Sequence, residues 1–390
     1  MTKPYTLMTP GPVPIPSEVL ASLARPMEHH RTPEFMAVWQ RALANLKRVF
    51  LTQEPVFIHT STGSGAMESA IVNCLSPGDE VIAIVSGKFG ERWAEIAEVY
   101  GANVLRVNVP WGKTVRLETI EDLLKKHPNA VAVLTQACET STGVLHPVRE
   151  LAQLTRGHRA LLMVDAITAL GALPIPMDEW GIDVMVAGSQ KAFMLPTGLS
   201  FIALSQKAWK VAEQAKCPRY YFDLRREREA NKRGESFFSS AVTHVRALDL
   251  VLEIFLSQGL ERVYERIQTL SHATLAAARE LGLQVFPEVP SPSLSALCVP
   301  EGIDGQKLRA EMEKTDAVVV MGGQDQLKGK IIRIGHMGAI SDKDLLMTLE
   351  SLARSINRLK PNTIEENKVK TALEKAQEIL SRCPAVVMKV

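Results

Sequence analysis

Between about residues 55 and 205 the chain alternates short apolar runs with segments whose apolar positions recur at helical spacing. The runs are Pro55–Thr60, Glu80–Val85, Asn103–Asn108, Ala130–Thr135, Ala160–Val164, Val184–Ala187 and Ser200–Leu204. Their length and richness in Val and Ile predict strands, and their continuous apolar character predicts burial on both faces. The segments Ala66–Leu75, Glu91–Tyr100, Ile120–Lys126 and Val148–Thr155 predict helices between them. Strands alternating with helices specify an α/β fold with a mostly parallel sheet covered by helices. Such sheets place ligands beyond the carboxyl ends of their strands.

The flanks read differently. Thr9-Pro-Gly-Pro-Val-Pro-Ile-Pro16 predicts an extended arm, because each proline ring fixes φ and removes a backbone donor. Ser17 then caps a short helical stretch, and an amphipathic helix is expected from about Pro33 to Phe50. A helix-rich region runs from about Ala241 to Leu281. Beyond it, Leu294–Pro300, Ala317–Met321 and Ile331–Gly335 predict the strands of a smaller α+β unit, followed from Pro361 by a polar, then helical tail. The expected organisation is an arm over 1–20, a large domain over 21–258 and a small C-terminal domain over 259–390.

Composition narrows the function classes. The chain has 390 residues, 46% of them hydrophobic, and a formal net charge of only +2, a balance unlike that of a nucleic-acid binder. Its densest basic stretch, Arg219–Arg233, is interleaved with Asp223, Glu227 and Glu229 and reads as a solvated, partly helical surface or a mobile loop. No apolar run approaches the roughly 18 residues of a membrane span. The N-terminus has Pro and Thr where a signal peptide needs an apolar helix. Five scattered cysteines without a CxxC pair suggest neither a disulfide framework nor a metal site, so a cytoplasmic location is expected.

Candidate chemistry gathers at the strand ends. Thr62, Gly63 and Ser64 lie in a Gly-rich turn that follows a strand and opens a helix, the geometry of a phosphate seat as well as of an ordinary structural turn. Asp165 ends a strand, where it can serve as a turn residue or hold a pyridine nitrogen in its protonated state. Lys191 follows another strand, as a surface charge or as an amine that forms an imine. Arg333 projects from an apolar strand, where either a structural ion pair or a substrate carboxylate would satisfy it. Phe89 follows a strand and either packs in the core or stacks on a ring. Together these are the parts that pyridoxal phosphate needs: a lysine, an acidic partner for its ring nitrogen and a phosphate seat.

The chain resembles the class V, fold-type I aminotransferases of the alanine–glyoxylate and serine–pyruvate group. The stretches that carry the resemblance are Thr9-Pro-Gly-Pro, His30-Arg-Thr-Pro-Glu-Phe35, Thr62-Gly-Ser-Gly-Ala-Met-Glu68, Glu139-Thr-Ser-Thr-Gly-Val144, Val164-Asp-Ala-Ile-Thr-Ala-Leu-Gly171, Gly188-Ser-Gln-Lys-Ala192 and Arg333-Ile-Gly-His-Met-Gly338. The resemblance implies that Lys191 is the Schiff-base lysine and that Asp165 is the partner of the pyridinium nitrogen. It also implies that Thr62, Gly63, Ser64 and Gln190 hold the phosphate, that Thr140 lies near the ring hydroxyl, and that Arg333 takes the substrate carboxylate. It further implies a homodimer with shared active sites, acting on a small amino acid and a 2-oxo acid such as glyoxylate or pyruvate. Two departures stand out. Phe89 occupies a position where several relatives carry Trp. The segment Ser236-Phe-Phe-Ser-Ser-Ala241 lacks the tyrosine of many relatives, and Ser239 stands where a threonine would bind the partner's phosphate.

Two other readings use the same fold. A cysteine desulfurase needs a nucleophilic thiol on a loop, whereas Cys298 falls in an apolar strand and Cys138 at a strand end. A non-catalytic subunit of a larger complex would have no need to keep Asp165, Lys191 and Arg333 together.

Overall fold

A computed structural model describes residues 5–383, so the first four residues of the expected arm and the end of the expected tail lie outside the described residues. Seven strands form the central sheet: β1 (Val56–His59), β2 (Glu80–Val85), β3 (Asn103–Asn108), β4 (Ala132–Gln136), β5 (Leu161–Asp165), β6 (Val184–Gly188) and β7 (Ser200–Leu204). They lie in the order β1-β7-β6-β5-β4-β2-β3. All neighbours run parallel except β7, which is antiparallel to both β1 and β6. The expected strands are all present. Hydrophobic patterning carries no strand direction, so β7 was not distinguishable in advance.

The interior strands β4, β5 and β6 are buried along their whole length, as their continuous apolar runs require. One apolar cluster covers one face, with Phe35, Trp39 and Leu46 of the helix Pro33–Phe50 against Ile58, Val164 and Ala187. That helix starts where its sequence says, with Thr32 Oγ1 accepting from the Phe35 N–H and Pro33 at its first position. A second cluster covers the other face, where α1 (Gly63–Cys74) and α2 (Lys88–Val99) contribute Met67, Ile71 and Trp93.

The basic stretch resolves into a helix over Leu224–Lys232, capped by Asp223, which also takes two hydrogen bonds from Arg225. Two long helices, α3 (Val242–Gln258) and α4 (Leu260–Glu280), meet at Gly259. A third apolar cluster joins Leu270 and Ala277 of α4 to Leu297, Ile332 and Ile334 of a three-stranded antiparallel sheet. Its strands are β8 (Leu294–Cys298), β9 (Met321–Gly322) and β10 (Ile331–Gly335).

The single strand expected over Ala317–Met321 is two. Val318–Val319 pairs in parallel with Thr6–Leu7 of the arm, and Met321–Gly322 pairs with β10. The arm therefore belongs to both halves of the molecule. Met8 is buried in the third cluster, whereas Val13 is buried in the first. Gly335 N–H donates to Met8 O at 2.8 Å and Ala339 N–H to Pro14 O at 3.1 Å.

Candidate active site

The carboxyl ends of β4, β5 and β6 lie side by side, with Gln136 and Asp165 ending the first two and Lys191 just past the third. Asp165 is the last residue of β5, with Gln136 at the matching register of β4. Its Oδ1 accepts the Ile167 N–H at 2.8 Å, and no described residue bonds to Oδ2. Burial pushes the Asp165 carboxyl up to about 7, with the nearby Glu139 charge adding to the rise. A cation beside Oδ2 would reverse that and return the group to its ionised form.

Lys191 lies in a tight turn after β6. Ser189 fixes the turn: its N–H donates to Leu199 O, its carbonyl accepts from the Leu195 N–H, and its hydroxyl donates to Pro196 O. The side chain of Lys191 is 8% exposed, and its amine donates to Pro10 O at 2.7 Å. Burial pulls the amine down to about 8; the charges of Arg333 and Arg92 lower it further, while Cys138 and Asp165 oppose them. Gly11 makes the approach of the arm possible. Its φ is +131°, and a Cβ there would stand 2.5 Å from Lys191 Nζ.

The turn Thr62–Gly65 opens α1. Gly63 and Ser64 N–H groups point out of the helix end with no described acceptor, and the helix dipole favours an anion there. Gly63 has no room for a side chain, since a Cβ would lie 2.7 Å from Ile167 Cδ1. Gln190 Oε1 is buried and without a partner. Free backbone donors, an Asp with an open oxygen and a buried amine make a set of groups that fits pyridoxal phosphate.

Arg333 enters from β10 and is 4% exposed. Its Nε and Nη2 donate to Gly322 O at 3.0 and 2.8 Å, and Nη1 donates to Thr140 O at 2.7 Å. No described carboxylate pairs with it, so the structural ion pair open at the level of sequence is absent among the described residues. Three of its five N–H groups are committed to carbonyls. The two that remain are free for a ligand. Burial draws Arg333 down to about 10, so it stays charged near neutrality.

Phe89 is held by its backbone: its N–H and that of Gly90 donate to the Glu139 carboxylate at 3.1 and 3.0 Å. Glu139 also accepts from the Ser141 N–H and hydroxyl. Thr140 is buried, its hydroxyl donating to Thr168 Oγ1 at 2.7 Å. Ser239 does not join this group. It is exposed and lines a small surface pocket with Thr60, Tyr221 and Phe238. Tyr221 stacks on Phe238 and donates to Thr60 O at 3.4 Å, bringing an aromatic hydroxyl to the segment that lacks one in sequence.

Sequence reasoning missed Glu139 as a hub, Thr168, Arg92 and the Pro10 carbonyl. Glu139, Thr168 and Pro10 lie in the stretches that carry the resemblance, whereas Arg92 lies outside all of them.

The class-V aminotransferase family model matches residues 17–335. The chain is 38% identical to the soluble hydrogenase small subunit of Synechococcus sp., over 89% of this chain and 91% of that one. It is 37% identical to L-aspartate–glyoxylate aminotransferase of Paracoccus denitrificans, covering 88% of each. The crystal structure of ureidoglycine–glyoxylate aminotransferase from Bacillus subtilis superimposes with a TM-score of 0.92 at 29% identity, covering 98% of this chain and 99% of that one. The chain belongs to the class-V aminotransferases, whose cofactor is pyridoxal phosphate.

Proposed function

We propose that the protein moves the amino group of a small amino acid to a 2-oxo acid, glyoxylate or pyruvate, with Lys191, Asp165 and Arg333 as its working groups. The observation that carries this reading is the buried Arg333 with two free N–H groups and no described carboxylate partner, close enough for its charge to act on the Lys191 amine. A buried guanidinium so placed suits a bidentate carboxylate, the one group every amino acid and every 2-oxo acid shares.

Bound pyridoxal phosphate supplies an aldehyde that links to amines and a ring that accepts the electron pair released at the substrate's α-carbon. The chain supplies the rest. Arg333 grips the α-carboxylate and fixes the α-carbon toward Lys191. The Lys191 amine, kept partly neutral by burial, takes the proton from that carbon and returns it on the far side of the reaction. Asp165 keeps a proton on the ring nitrogen through its open Oδ2. Thr62, Gly63, Ser64 and Gln190 would hold the phosphate, Phe89 would stack on the ring and Thr140 would stand at its hydroxyl side. Pro10 and Gly11 roof the amine and keep water from it.

Names among the relatives favour glyoxylate as acceptor, and L-aspartate joins alanine and serine as a donor to try. A homodimer completes the reading. Tyr220 and Tyr221 are 66% and 43% exposed beside Ser239, an aromatic patch suited to a second copy that would receive the Ser239 hydroxyl at its phosphate.

The name of the Synechococcus relative gives weight to a second reading, a subunit serving a larger complex. A desulfurase is poorly served: burial pushes the Cys138 thiol up to about 11, away from a nucleophilic thiolate. One experiment separates amino transfer from both. Adding L-alanine, L-serine or L-aspartate to the cofactor-loaded protein should replace its visible absorption by that of pyridoxamine phosphate, and glyoxylate should restore it. Loss of the response in Lys191→Ala supports the reading. No response from the parent protein to any donor would sink it.

A further inference from the structure

A phosphate monoester carries close to two negative charges near neutral pH. The N-terminus of a helix offers it only a partial positive charge. Thr62, Gly63, Ser64 and Gln190 are all neutral, so the seat as read above lacks a full counter-charge. One side chain that no sequence motif singled out stands there. Arg92 of α2 donates from Nη1 to Ser64 Oγ at 3.2 Å. Its guanidinium carbon lies 4.9 Å from the centroid of the Phe89 ring.

The surroundings of Arg92 leave its charge available. Glu91 pairs with Lys88, and Glu98 pairs with Arg106. Arg92 itself forms no ion pair with a described carboxylate. Its field reaches Lys191 and Asp165, where it contributes to lowering the proton affinity of both. The helical register explains the pairing with Phe89: residues three apart share one face of a helix, so the ring and the cation are presented together. Glu139, which holds the Phe89 and Gly90 N–H groups, fixes the start of that helix and with it the position of Arg92.

We propose that Arg92 is the counter-charge of the cofactor phosphate, seated over Phe89 and directed to the opening of α1 by the Ser64 hydroxyl. This rests on reading Thr62–Ser64 as the phosphate seat. A planar guanidinium can cover an aromatic face and still present donors at its edge to phosphate oxygens. Phe89 thus orders the cation as well as stacking on the ring, which gives the phenyl side chain a task that needs no indole N–H.

Two ligands with the same ring and aldehyde isolate the phosphate: pyridoxal phosphate and pyridoxal. Each is titrated into the cofactor-free full-length protein, and dissociation constants are read from absorbance. Arg92→Gln should weaken pyridoxal phosphate by about tenfold while leaving pyridoxal within about twofold, the modest size reflecting an exposed guanidinium. Arg92→Lys should recover most of the loss, since the charge returns without the fork. The ratio of the two constants cancels any general damage to the fold. An Arg92→Gln protein with the parent's ratio overturns the proposal, whether both ligands weaken together or neither does. A parent protein that binds the two ligands equally would instead remove the phosphate seat itself, and the proposal with it.

Discussion

In the proposed reaction Lys191 works through its neutral form, and burial sets how much of that form exists. An amine near 8 is neutral roughly two orders of magnitude more often at pH 7 than one at the ordinary 10.4. Capture of pyridoxal phosphate by the cofactor-free protein should therefore accelerate as pH rises and level off above about 8. Stopped-flow absorbance across pH 6 to 10 measures this, and a rate still climbing at pH 10 would mean an unperturbed amine. Arg333 gives the complementary test. Arg333→Gln should lower kcat/KM for every amino donor by about a hundredfold or more, mostly through KM, because a charge-assisted bidentate contact is lost. A drop confined to one donor would indicate recognition of a side chain rather than of the shared carboxylate. The placement of Lys191 and Asp165 at strand ends was legible at this scale, because the apolar runs that precede them are clearly bounded. The partners of Arg333 were not, since a backbone carbonyl leaves no mark in a sequence.

Elements hold these residues in place through few contacts. Glu139 ties the start of α2 to the turn after β4 by accepting from Phe89, Gly90 and Ser141. Glu139→Ala would strand those buried donors at a cost of about 3 kcal/mol, visible as a lower urea midpoint. An unchanged midpoint would mean water replaces the carboxylate freely. At Gly11 the arm meets the lysine. Gly11→Ala should reduce turnover at least about tenfold with the fold intact by circular dichroism, because φ is strained and the new Cβ displaces Lys191. The strands of the main sheet could be read from sequence to within a residue or two, since their apolar runs are long and bounded. Ala317–Met321 could not, because its first half pairs with residues at the other end of the chain.

At the scale of the whole molecule, the α/β architecture was legible and the path of the arm was not. Light scattering on the cofactor-loaded protein should report a dimer, and charges introduced by Tyr220→Glu with Tyr221→Glu should shift it toward monomer with loss of activity. The arm also orders events during synthesis. Thr6–Met8 leaves the ribosome about three hundred residues before its partners at Val318–Val319 and Gly335. Until they arrive, the Pro10 carbonyl has nothing to hold it against Lys191. The nascent chain can complete its central sheet first, but the lysine receives its roof only after residues 318–335 have been made.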